Sequence, residues 1–474
     1  MELPEYAKMA TQAQKRREGN MLSKAGRGKA EIRAGGQSKG VKAGVDAAAE
    51  FVRNAAAKQD ATVWPVCRAS WRAAARVRAG HPWVYQSDVE EVIPESGRDG
   101  VAPGSLVRVI DEKGAALGTA IYSGALLISV RMVTRELIDN RVEFLELVRH
   151  RLRRAVQMRL DGLQLLTGTN ACRLVFGEAD ELPGIVADRY GDLVILQLLT
   201  QGTHAADVRA VAVDVFREML NPESILERPD ARIRELEQLD APSTEPLYAR
   251  NAEKPMFATV FELNGLQFHF DANAGQKTGA FLDQRENYRA AESYARGRVL
   301  DICTYQGGFA LHLARRCSQV TGVDASRAAL EVAEKNLNIN RDQLAGQGSG
   351  VEWIEANAFE LLRDWSDAGE EFDTIVLDPP AFAKSKRAVE GALRGYKEMN
   401  LRALKMLRPG GKLVTCSCSH HVPLVEFQAA VAEAASDAGK RVRLLEMRGA
   451  AFDHPAILTI PETQYLKCLI CEVD

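Results

Sequence analysis

The chain has 474 residues, of which 46% are hydrophobic and 26% charged, and a formal net charge of −3. This length is too great for one hydrophobic core, so two or three domains are expected. The small net charge gives no global sign of nucleic-acid binding. No apolar run reaches the roughly 18 residues that a membrane-spanning helix needs, and the N-terminus lacks the apolar segment of a secretory signal. A cytoplasmic protein without a membrane partner is therefore expected.

The first 62 residues form a basic tail that we predict to be disordered. Residues 1–45 carry ten Lys and Arg against four Glu and show no apolar period. Such a tail either acts as an electrostatic arm for RNA phosphates or is simply solvated. A true translation start at Met21 belongs to the second interpretation.

The next two segments predict two different domains. Short apolar runs broken by Gly, Pro and Asp over residues 63–138 predict a small β-barrel, with Arg108 and Arg131 in its strands and facing outwards. Residues 139–267 combine a long helix with several strands and predict an α+β domain. The helix carries a basic run at residues 149–154, which either contacts phosphates or forms a solvated face.

Residues 268–474 alternate between strands and helices. This spacing predicts an α/β fold with an open, mostly parallel, doubly wound sheet. One helix is predicted from Tyr396 to Leu407, before the stop signal Pro409-Gly410-Gly411. Ligands of such sheets bind beyond the carboxyl ends of the strands, and the motifs described next all fall there.

A turn that contains Gly307 and Gly308 joins the first strand of this sheet to its helix. Glycines in such a turn let the backbone approach a ligand and expose helix N-terminal amides. Asp301, Asp324 and Asn357 sit at or near the ends of three successive strands, and a carboxylate such as Asp324 can accept both ribose hydroxyls. These residues indicate a nucleotide-like cofactor. The alternative is that the polar side chains only cap the helices that follow.

Two further strand ends suggest covalent catalysis on a pyrimidine. Asp378 precedes two prolines, which fix the turn, and its carboxylate can hydrogen-bond the edge of a planar base. Cys418 ends the next motif strand, where a thiolate could add to C6 and make C5 nucleophilic enough to take a methyl group from a sulfonium donor. A base would then remove the C5 proton and the thiol would be expelled. The competing interpretation is that strand cysteines, Cys416 included, are inert core residues.

An ordered set of motifs carries a resemblance to a known family. The motifs are Gly275-Gln276-Lys277-Thr278-Gly279, Phe281-Leu282-Asp283-Gln284-Arg285, Asp378-Pro379-Pro380-Ala381-Phe382, Arg394-Gly395-Tyr396-Lys397-Glu398-Met399-Asn400, Ser417-Cys418-Ser419, His454-Pro455 and Tyr465-Leu466-Lys467. From about Trp64 to Val473 the chain resembles the bacterial large-subunit ribosomal RNA methyltransferase I family. That family makes 5-methylcytosine in 23S ribosomal RNA.

The resemblance implies a class I methyltransferase domain with a Rossmann-like sheet, preceded by an N-terminal PUA barrel and a middle α+β domain. It implies S-adenosylmethionine as the methyl donor, Cys418 as the nucleophile and Asp378 as the group that binds the pyrimidine. The implied cofactor-binding residues are Gln284, Asp301, Tyr305, Gly307, Gly308, Asp324, Asn357 and Asp378. The implied substrate is a single-stranded or splayed cytosine of 23S ribosomal RNA.

The chain departs from the family pattern at Gln306, where the family has Thr, and at Ala356-Asn357, where two acids are usual. Asn357 can still contact adenine through its amide. Three alternatives stay open: a 5-methyluracil transferase, a base-amine methyltransferase and a non-catalytic RNA-binding protein. A metal site at Cys468-x-x-Cys471 is not predicted, because no second Cys pair is near. The modified nucleotide stays undetermined, as does the oligomeric state, with a homodimer as one candidate.

Overall fold

A computed structural model of the chain describes residues 64–124, 127–164, 166–273, 280–344 and 350–474. The predicted basic tail, residues 1–62, and the motif at residues 275–279 lie outside these ranges. The described part contains four sheets, of six, five, two and seven strands. In the same ranges, every helix is too short or too polar to cross a membrane.

The N-terminal unit is built from one helix and six strands. These elements are β1 (Val66–Ala69), α1 (Trp71–Arg78), β2 (Trp83–Tyr85), β3 (Val89–Ile93), β4 (Leu106–Ile110), β5 (Ala116–Tyr122) and β6 (Ile128–Thr134). The strands form one sheet in the order β2-β6-β5-β4-β1-β3. Glycine is required at Gly118, where φ is 136° and an added Cβ would lie 2.1 Å from the Thr134 carbonyl oxygen. This close approach lets β5 and β6 pair.

The middle unit packs two long helices on a five-stranded sheet. Its elements are α2 (Arg141–Gln164), β7 (Ala171–Phe176), β8 (Ile185–Tyr190), β9 (Leu193–Leu198), α3 (Ala206–Leu220), β10 (Ser224–Glu227), α4 (Ala231–Leu236) and β11 (Tyr248–Ala249). The sheet order is β11-β10-β9-β8-β7. All six residues of β9 are buried, because this strand lies in the centre of the sheet.

Two arginines that were expected on surfaces are buried between these units. Arg131 is 7% exposed and pairs with Glu237 of the middle unit at 3.0 Å, so its predicted outward orientation is wrong. Arg151, within the basic run of α2, donates to the carbonyl oxygens of Val133 and Glu181 at 2.7 and 2.8 Å. The strand and helix periods identify the face on which a residue lies, but not the neighbouring unit that covers that face.

The C-terminal unit contains a hairpin and a seven-stranded sheet. Its elements are β12 (Ala258–Leu263), β13 (Leu266–Asp271), α5 (Arg285–Tyr294), β14 (Arg298–Ile302), α6 (Gly308–Ala314), β15 (Gln319–Asp324), α7 (Arg327–Ile339), α8 (Arg341–Leu344), β16 (Gly350–Glu355), α9 (Ala358–Ala368), β17 (Phe372–Leu377), α10 (Val389–Met406), β18 (Leu407–Ser417), α11 (Leu424–Asp437), β19 (Val442–Arg448) and β20 (Lys467–Val473). The sheet order is β16-β15-β14-β17-β18-β20-β19, and β20 runs antiparallel to its two neighbours. The predicted doubly wound sheet is confirmed.

The strand order reverses beside β14, which pairs in parallel with both β15 and β17. Crevices at such reversals are the usual ligand sites of open α/β sheets. The β12–β13 hairpin packs Phe261, Phe268 and Phe270 into the same core as β14. The predicted boundary between residues 267 and 268 falls within β13, and we propose that the whole hairpin belongs with the C-terminal unit.

The helix predicted from Tyr396 to Leu407 is longer at its start and ends one residue earlier. It begins at Val389 and ends at Met406, and β18 begins at Leu407. The two glycines at 391 and 395 lower the helix propensity of this segment. Packing of the buried Ala392, Tyr396 and Met399 outweighs that propensity.

Candidate functional site

The turn after β14 has a strained backbone. Cys303 and Tyr305 both adopt positive φ, 64° and 53°, although neither is glycine. The Thr304 amide donates to the Val323 carbonyl at 2.9 Å, and the Tyr305 amide donates to Asp324 Oδ2 at 2.9 Å. Conformations of this kind cost about 1–3 kcal/mol each and cluster at ligand sites. The turn is therefore a candidate for ligand contact.

Asp301 stabilises this turn through hydrogen bonds. Its side chain is fully buried, and Oδ2 accepts from Thr304 Oγ1 at 2.6 Å and from the Ala310 amide at 2.9 Å. Oδ1 is buried too, and it has no hydrogen-bond partner in the part of the chain that the structure describes. Burial raises the pKa of Asp301 to about 7. An oxygen in this state is available to a polar atom of a ligand.

The sequence left two roles open for Asp324 and Asn357, cofactor binding and helix capping, and the structure shows a different environment for each residue. Asp324 ends β15, where Oδ1 accepts from the Ser326 amide at 2.8 Å and Oδ2 holds the turn at Tyr305. Asn357 is exposed and caps α9, where its Oδ1 accepts from the Phe359 and Glu360 amides at 2.9 and 3.3 Å. The capping interpretation therefore holds for the Asn357 oxygen, whereas Ser326 and not Asp324 provides the side-chain cap of α7.

The two glycines of the turn are both needed for packing. Gly307 has a φ of 85° and caps α6. A Cβ on Gly308 would lie 2.6 Å from the Tyr288 hydroxyl. The glycines thus let the turn sit close to its own neighbours, and Gly308 also lines a cleft. The other cleft-lining residues include Phe281, Cys303, Tyr305, Gln306 and Asp378.

Asp378 lies just after β17 at the edge of this cleft. Gln284 Nε2 donates to its Oδ1 at 2.9 Å, and the Asp378 amide donates to the Ile302 carbonyl at 3.2 Å. Burial raises the pKa of Asp378 to about 8, with the Asp283 and Asp301 carboxylates adding to the effect and the Gln284 hydrogen bond opposing it. Near neutral pH this carboxyl is therefore largely protonated.

Gln284 is buried and sits in a chain of polar contacts. Its Oε1 accepts from Asn287 Nδ2 at 2.6 Å, and Asn287 Oδ1 accepts from Arg448 Nε at 3.1 Å. These contacts fix the Gln284 amide with its nitrogen towards Asp378. The resemblance implied a cofactor contact for Gln284, whereas its polar atoms here face Asp378 and Asn287.

The two cysteines of the Thr415–Ser419 segment have different environments. Cys416 is fully buried and lies opposite Cys468 in the β18–β20 register. Cys418 is partly exposed, and its Sγ lies 3.7 Å from the Pro379 carbonyl oxygen as a weak donor. Burial raises the pKa of Cys418 to about 12, Asp378 adds to this, and Lys467 opposes it.

A hydroxyl clamp holds both neighbours of Cys418. Ser417 Oγ donates to the Tyr396 hydroxyl at 2.9 Å, and that hydroxyl lies 2.8 Å from Ser419 Oγ. Ser419 Oγ also accepts from the Ala383 amide at 3.1 Å, which ties the loop after Asp378 to the end of β18. The clamp restricts the position of the thiol relative to the carboxyl.

Several residues of this site were not singled out from the sequence. They are Tyr396 in the clamp, Lys467 at the start of β20, and Asp283, whose Oδ2 accepts from the Tyr465 hydroxyl at 2.5 Å. All three lie in the quoted motifs, but motif order alone does not say which side chains meet. Distant segments come together only in the folded sheet.

Cys468 and Cys471 lie in β20 with an odd spacing, so their side chains point to opposite faces of the sheet. Cys468 packs in the core that contains Cys416, and Cys471 packs in the core beside α10. They cannot form one metal site together.

A doubly wound sheet with this strand order and a cleft beside the β14 turn defines a class I methyltransferase. Residues 249–450 match the S-adenosylmethionine-dependent methyltransferase family, and residues 71–135 match a PUA-like domain. Proteins named ribosomal RNA large subunit methyltransferase I, from Cronobacter sakazakii and Yersinia pestis, are 37% identical and match 83% of this chain and 95% of their own length. The chain belongs to the ribosomal RNA large subunit methyltransferase I family, and its cofactor is S-adenosylmethionine, as expected.

Solved structures agree in fold. A methyltransferase called SMU.776, solved as a complex with SAH, superposes with a TM-score of 0.68 at 17% identity, over 86% of this chain and 99% of its own. A SAM-dependent methyltransferase from Streptococcus mutans gives the same TM-score at 16% identity and the same coverage. At such low identity these matches show the fold alone.

Proposed function

We propose that this protein methylates C5 of a cytosine in 23S ribosomal RNA through a covalent bond between Cys418 and C6. The observation that carries the proposal is a partly exposed thiol beside a half-buried carboxyl, Cys418 and Asp378, at the ends of neighbouring strands. Transfer to a base amine needs no nucleophilic thiol. The names of the relatives and the PUA-like match support RNA as the substrate.

The residues around the strained turn fit the cofactor. The orphaned Oδ1 of Asp301 and the half-exposed Phe281 ring, 5.1 Å from the Tyr305 ring, offer one polar and one apolar contact. We assign the ribose hydroxyls to Asp324 and adenine to the amide nitrogen of Asn357. Bound S-adenosylmethionine supplies an electrophilic methyl group.

Cys418 begins the reaction as a thiolate. Its sulfur forms a bond to C6, and the electrons of the C5–C6 double bond move into the ring, so that C5 becomes nucleophilic. After C5 has gained the methyl group, a base removes the C5 proton. The electrons of that C–H bond re-form the double bond and expel the Cys418 thiolate.

Asp378 holds the pyrimidine edge during these steps. In its protonated form the carboxyl donates to N3 of cytosine and accepts from the N4 amino group, and it thereby stabilises charge that develops at N3. The raised pKa of Asp378, about 8, keeps the donor form populated at neutral pH. The same carboxyl can pair with uracil by donating to O4 and accepting from N3, so the product has to be identified by measurement.

The target base must leave its stack to reach Cys418. An enzyme that acts on a ring atom takes the nucleotide out of a helix or uses an unpaired one, and RNA is usually read in this splayed form. We assign the PUA-like and middle units to contacts with the surrounding RNA, and we place the reaction in the cytoplasm.

The test compares Cys418→Ala with Cys416→Ala on deproteinised ribosomal RNA. The first variant should lose methyl transfer roughly a thousandfold or more, because no thiolate can form the adduct, while the second should keep it. Mass mapping of the RNA product separates 5-methylcytosine from 5-methyluracil. Full activity of the Cys418→Ala enzyme would exclude the covalent mechanism.

A trapping experiment tests the adduct directly. RNA that carries 5-fluorocytidine at the mapped position should form a complex with the wild-type enzyme that survives denaturing electrophoresis. After methyl transfer, C5 of this analogue carries fluorine in place of the proton that the base must remove, so the Cys418 thiolate is not expelled. The Cys418→Ala enzyme should form none, and Cys416→Ala serves as the matched control.

A further inference from the structure

Lys467 is a buried cation without an acidic partner. It is 7% exposed, and no Asp or Glu oxygen of the described residues lies within 4.0 Å of its Nζ. Buried ammonium groups are normally paired with a carboxylate, because removing a charge from water is costly. Lys412, which is equally buried in the same pair of strands, follows that rule and pairs with Glu472.

The hydrogen bonds of Lys467 place its ammonium group beside the nucleophile segment. Nζ donates to the carbonyl oxygens of Ser419 and Tyr465, both at 2.7 Å. Lys467 also lies opposite Ser417 in the β18–β20 register. The side chain therefore runs past Cys418, from the residue before it to the residue after it. Two of the three ammonium N–H groups are used, and one remains.

The ionisable groups near the Cys418 thiol have opposite effects on its pKa. Asp378 and Asp283 are acidic and oppose ionisation of the thiol, whereas Lys467 favours it. The neighbouring Tyr396 and Tyr465 carry hydroxyl groups without a permanent charge, and the ionisation of each is in turn disfavoured by Cys418. Burial lowers the pKa of Lys467 to about 8, and Cys418 opposes this shift.

We propose that Lys467 is a positioning residue for the nucleophile, and that its ammonium group is the counter-charge of the Cys418 thiolate. In the reactive form, which is a minor population of the free protein, the thiol proton has left to water, Lys467 keeps its own protons, and the pair is thiolate and ammonium. This inference rests on the proposed role of Cys418. It names the group that lets a thiol in an acidic, buried setting ionise at all.

The test measures alkylation of Cys418 by iodoacetamide in the protein alone, without RNA or methyl donor. Peptide mass mapping follows Cys418 separately from the other cysteines, between about pH 6 and pH 9, on either side of the ordinary thiol range. Lys467→Met removes charge and donors, Lys467→Gln keeps donors without charge, and Lys467→Arg keeps charge. Met and Gln should slow alkylation roughly tenfold at pH 7, and Arg should stay within about threefold of wild type.

Lys412→Met is the matched control. Its position is six residues from Cys418 along β18, on the order of 20 Å, and its partner Glu472 keeps Arg443 as a second cation. Alkylation of Cys418 should be unchanged in this variant. Melting curves of all variants show which of them fold, and Gln and Arg provide the comparison if Met does not.

Wild-type rates in the Lys467→Gln variant would overturn the inference, because donors without charge would then suffice. That outcome leaves the proposed function intact if Cys418→Ala still abolishes methyl transfer. Conversely, methyl transfer by Cys418→Ala would remove the proposed function, whatever the alkylation rates are.

Discussion

Gln284 donates a hydrogen bond to Asp378, with 2.9 Å between Nε2 and Oδ1, across 94 positions of the chain. The amide favours the charged form of a carboxyl whose burial favours the neutral form. The pKa of Asp378 is about 8, so the carboxyl is largely protonated near neutral pH, and the Gln284 hydrogen bond keeps that pKa from rising further. In the proposed mechanism this neutral form both donates to N3 and accepts from the N4 amino group of a cytosine.

Replacing Gln284 by Ala should lower methyl transfer by roughly 10- to 100-fold, because Asp378 loses its orientation and one charge-stabilising hydrogen bond. Asn287 would lose a partner as well. Steady-state kinetics at saturating methyl donor measure the loss. Gln428→Ala is the control and should be silent, because this residue of α11 is not among those that line the cleft and its side-chain amide makes an exposed contact with Met447.

The raised pKa of Asp378 has a consequence for stability. In the unfolded chain the pKa of this carboxyl is near its ordinary value of 3.8, and in the folded protein it is about 8. Between these values the folded state binds the additional proton, so the stability that Asp378 contributes is full below about pH 4 and is lost as the pH rises to about 8. An uncharged side chain at this position escapes that loss.

Asp378→Asn should therefore become more stable relative to wild type as the pH rises, by about 3–4 kcal/mol between about pH 5 and pH 8, and level off above it. Urea unfolding at a series of pH values measures the difference. A difference that does not vary with pH would show that the carboxyl titrates in an ordinary range.

The alternation of strands and helices in the sequence was sufficient to predict the sheet and some of the residues near the cleft. Strands that alternate with helices predict parallel pairing, and parallel strands bring their carboxyl ends to one edge. Asp301, Asp324 and Asp378 lie at or near three such ends, and the structure does bring them to one region. The role of Asn357 was ambiguous, because a cap and a ligand contact use the same residue type at the same position.

The remaining site residues depend on tertiary contacts that no period encodes. Tyr396 reaches the nucleophile segment from α10, through its hydroxyl contacts with Ser417 and Ser419. Lys467 reaches it because β20 pairs with β18, and Asp283 is held by the Tyr465 hydroxyl just before β20. Burial of Arg131 and Arg151 has the same origin, since the partner that covers them belongs to another unit or a distant segment. The periodicity of a sequence identifies the buried face of a helix or strand, but tertiary packing determines which residues contact that face.

Removing the Tyr396 hydroxyl should leave the Cys418 thiol less firmly positioned, without affecting the binding of the methyl donor. Tyr396→Phe leaves the buried Ser417 and Ser419 hydroxyls without their shared partner, at a cost of about 1–3 kcal/mol in unfolding free energy. We expect kcat to fall roughly tenfold, with little change in KM for the methyl donor.

Urea unfolding and initial-rate kinetics measure the two effects of Tyr396→Phe. Tyr294→Phe is the matched control. Tyr294 lies on α5, and its hydroxyl donates to Glu446 at 2.7 Å rather than to a residue of the clamp. An unchanged kcat in Tyr396→Phe would mean that the clamp has no part in placing Cys418.

Removing one partner of the buried pair Arg285–Asp453 should destabilise the fold strongly. Both side chains are fully buried, with two contacts of 2.9 and 3.1 Å, and Asp453 also accepts from the Arg173 amide of β7. Although burial raises the pKa of Asp453, the hydrogen bond from His454 and the charge of Arg285 bring it well below its usual range. The stability from Asp453 is thus present above about pH 4 and is lost as the pH falls through the folded pKa.

Asp453→Ala should lower the unfolding free energy by about 3–5 kcal/mol, because the fully buried Arg285 loses its two shortest carboxylate contacts and keeps only the longer one to Glu286, at 3.4 Å. The double variant Arg285→Met with Asp453→Ala should lose clearly less than the sum of the two single changes, since no unpaired charge then remains. Glu390→Ala breaks an exposed pair with Arg394 and should cost less than about 1 kcal/mol. Additive effects of the two single changes on the free energy of unfolding would show that Arg285 and Asp453 do not stabilise each other.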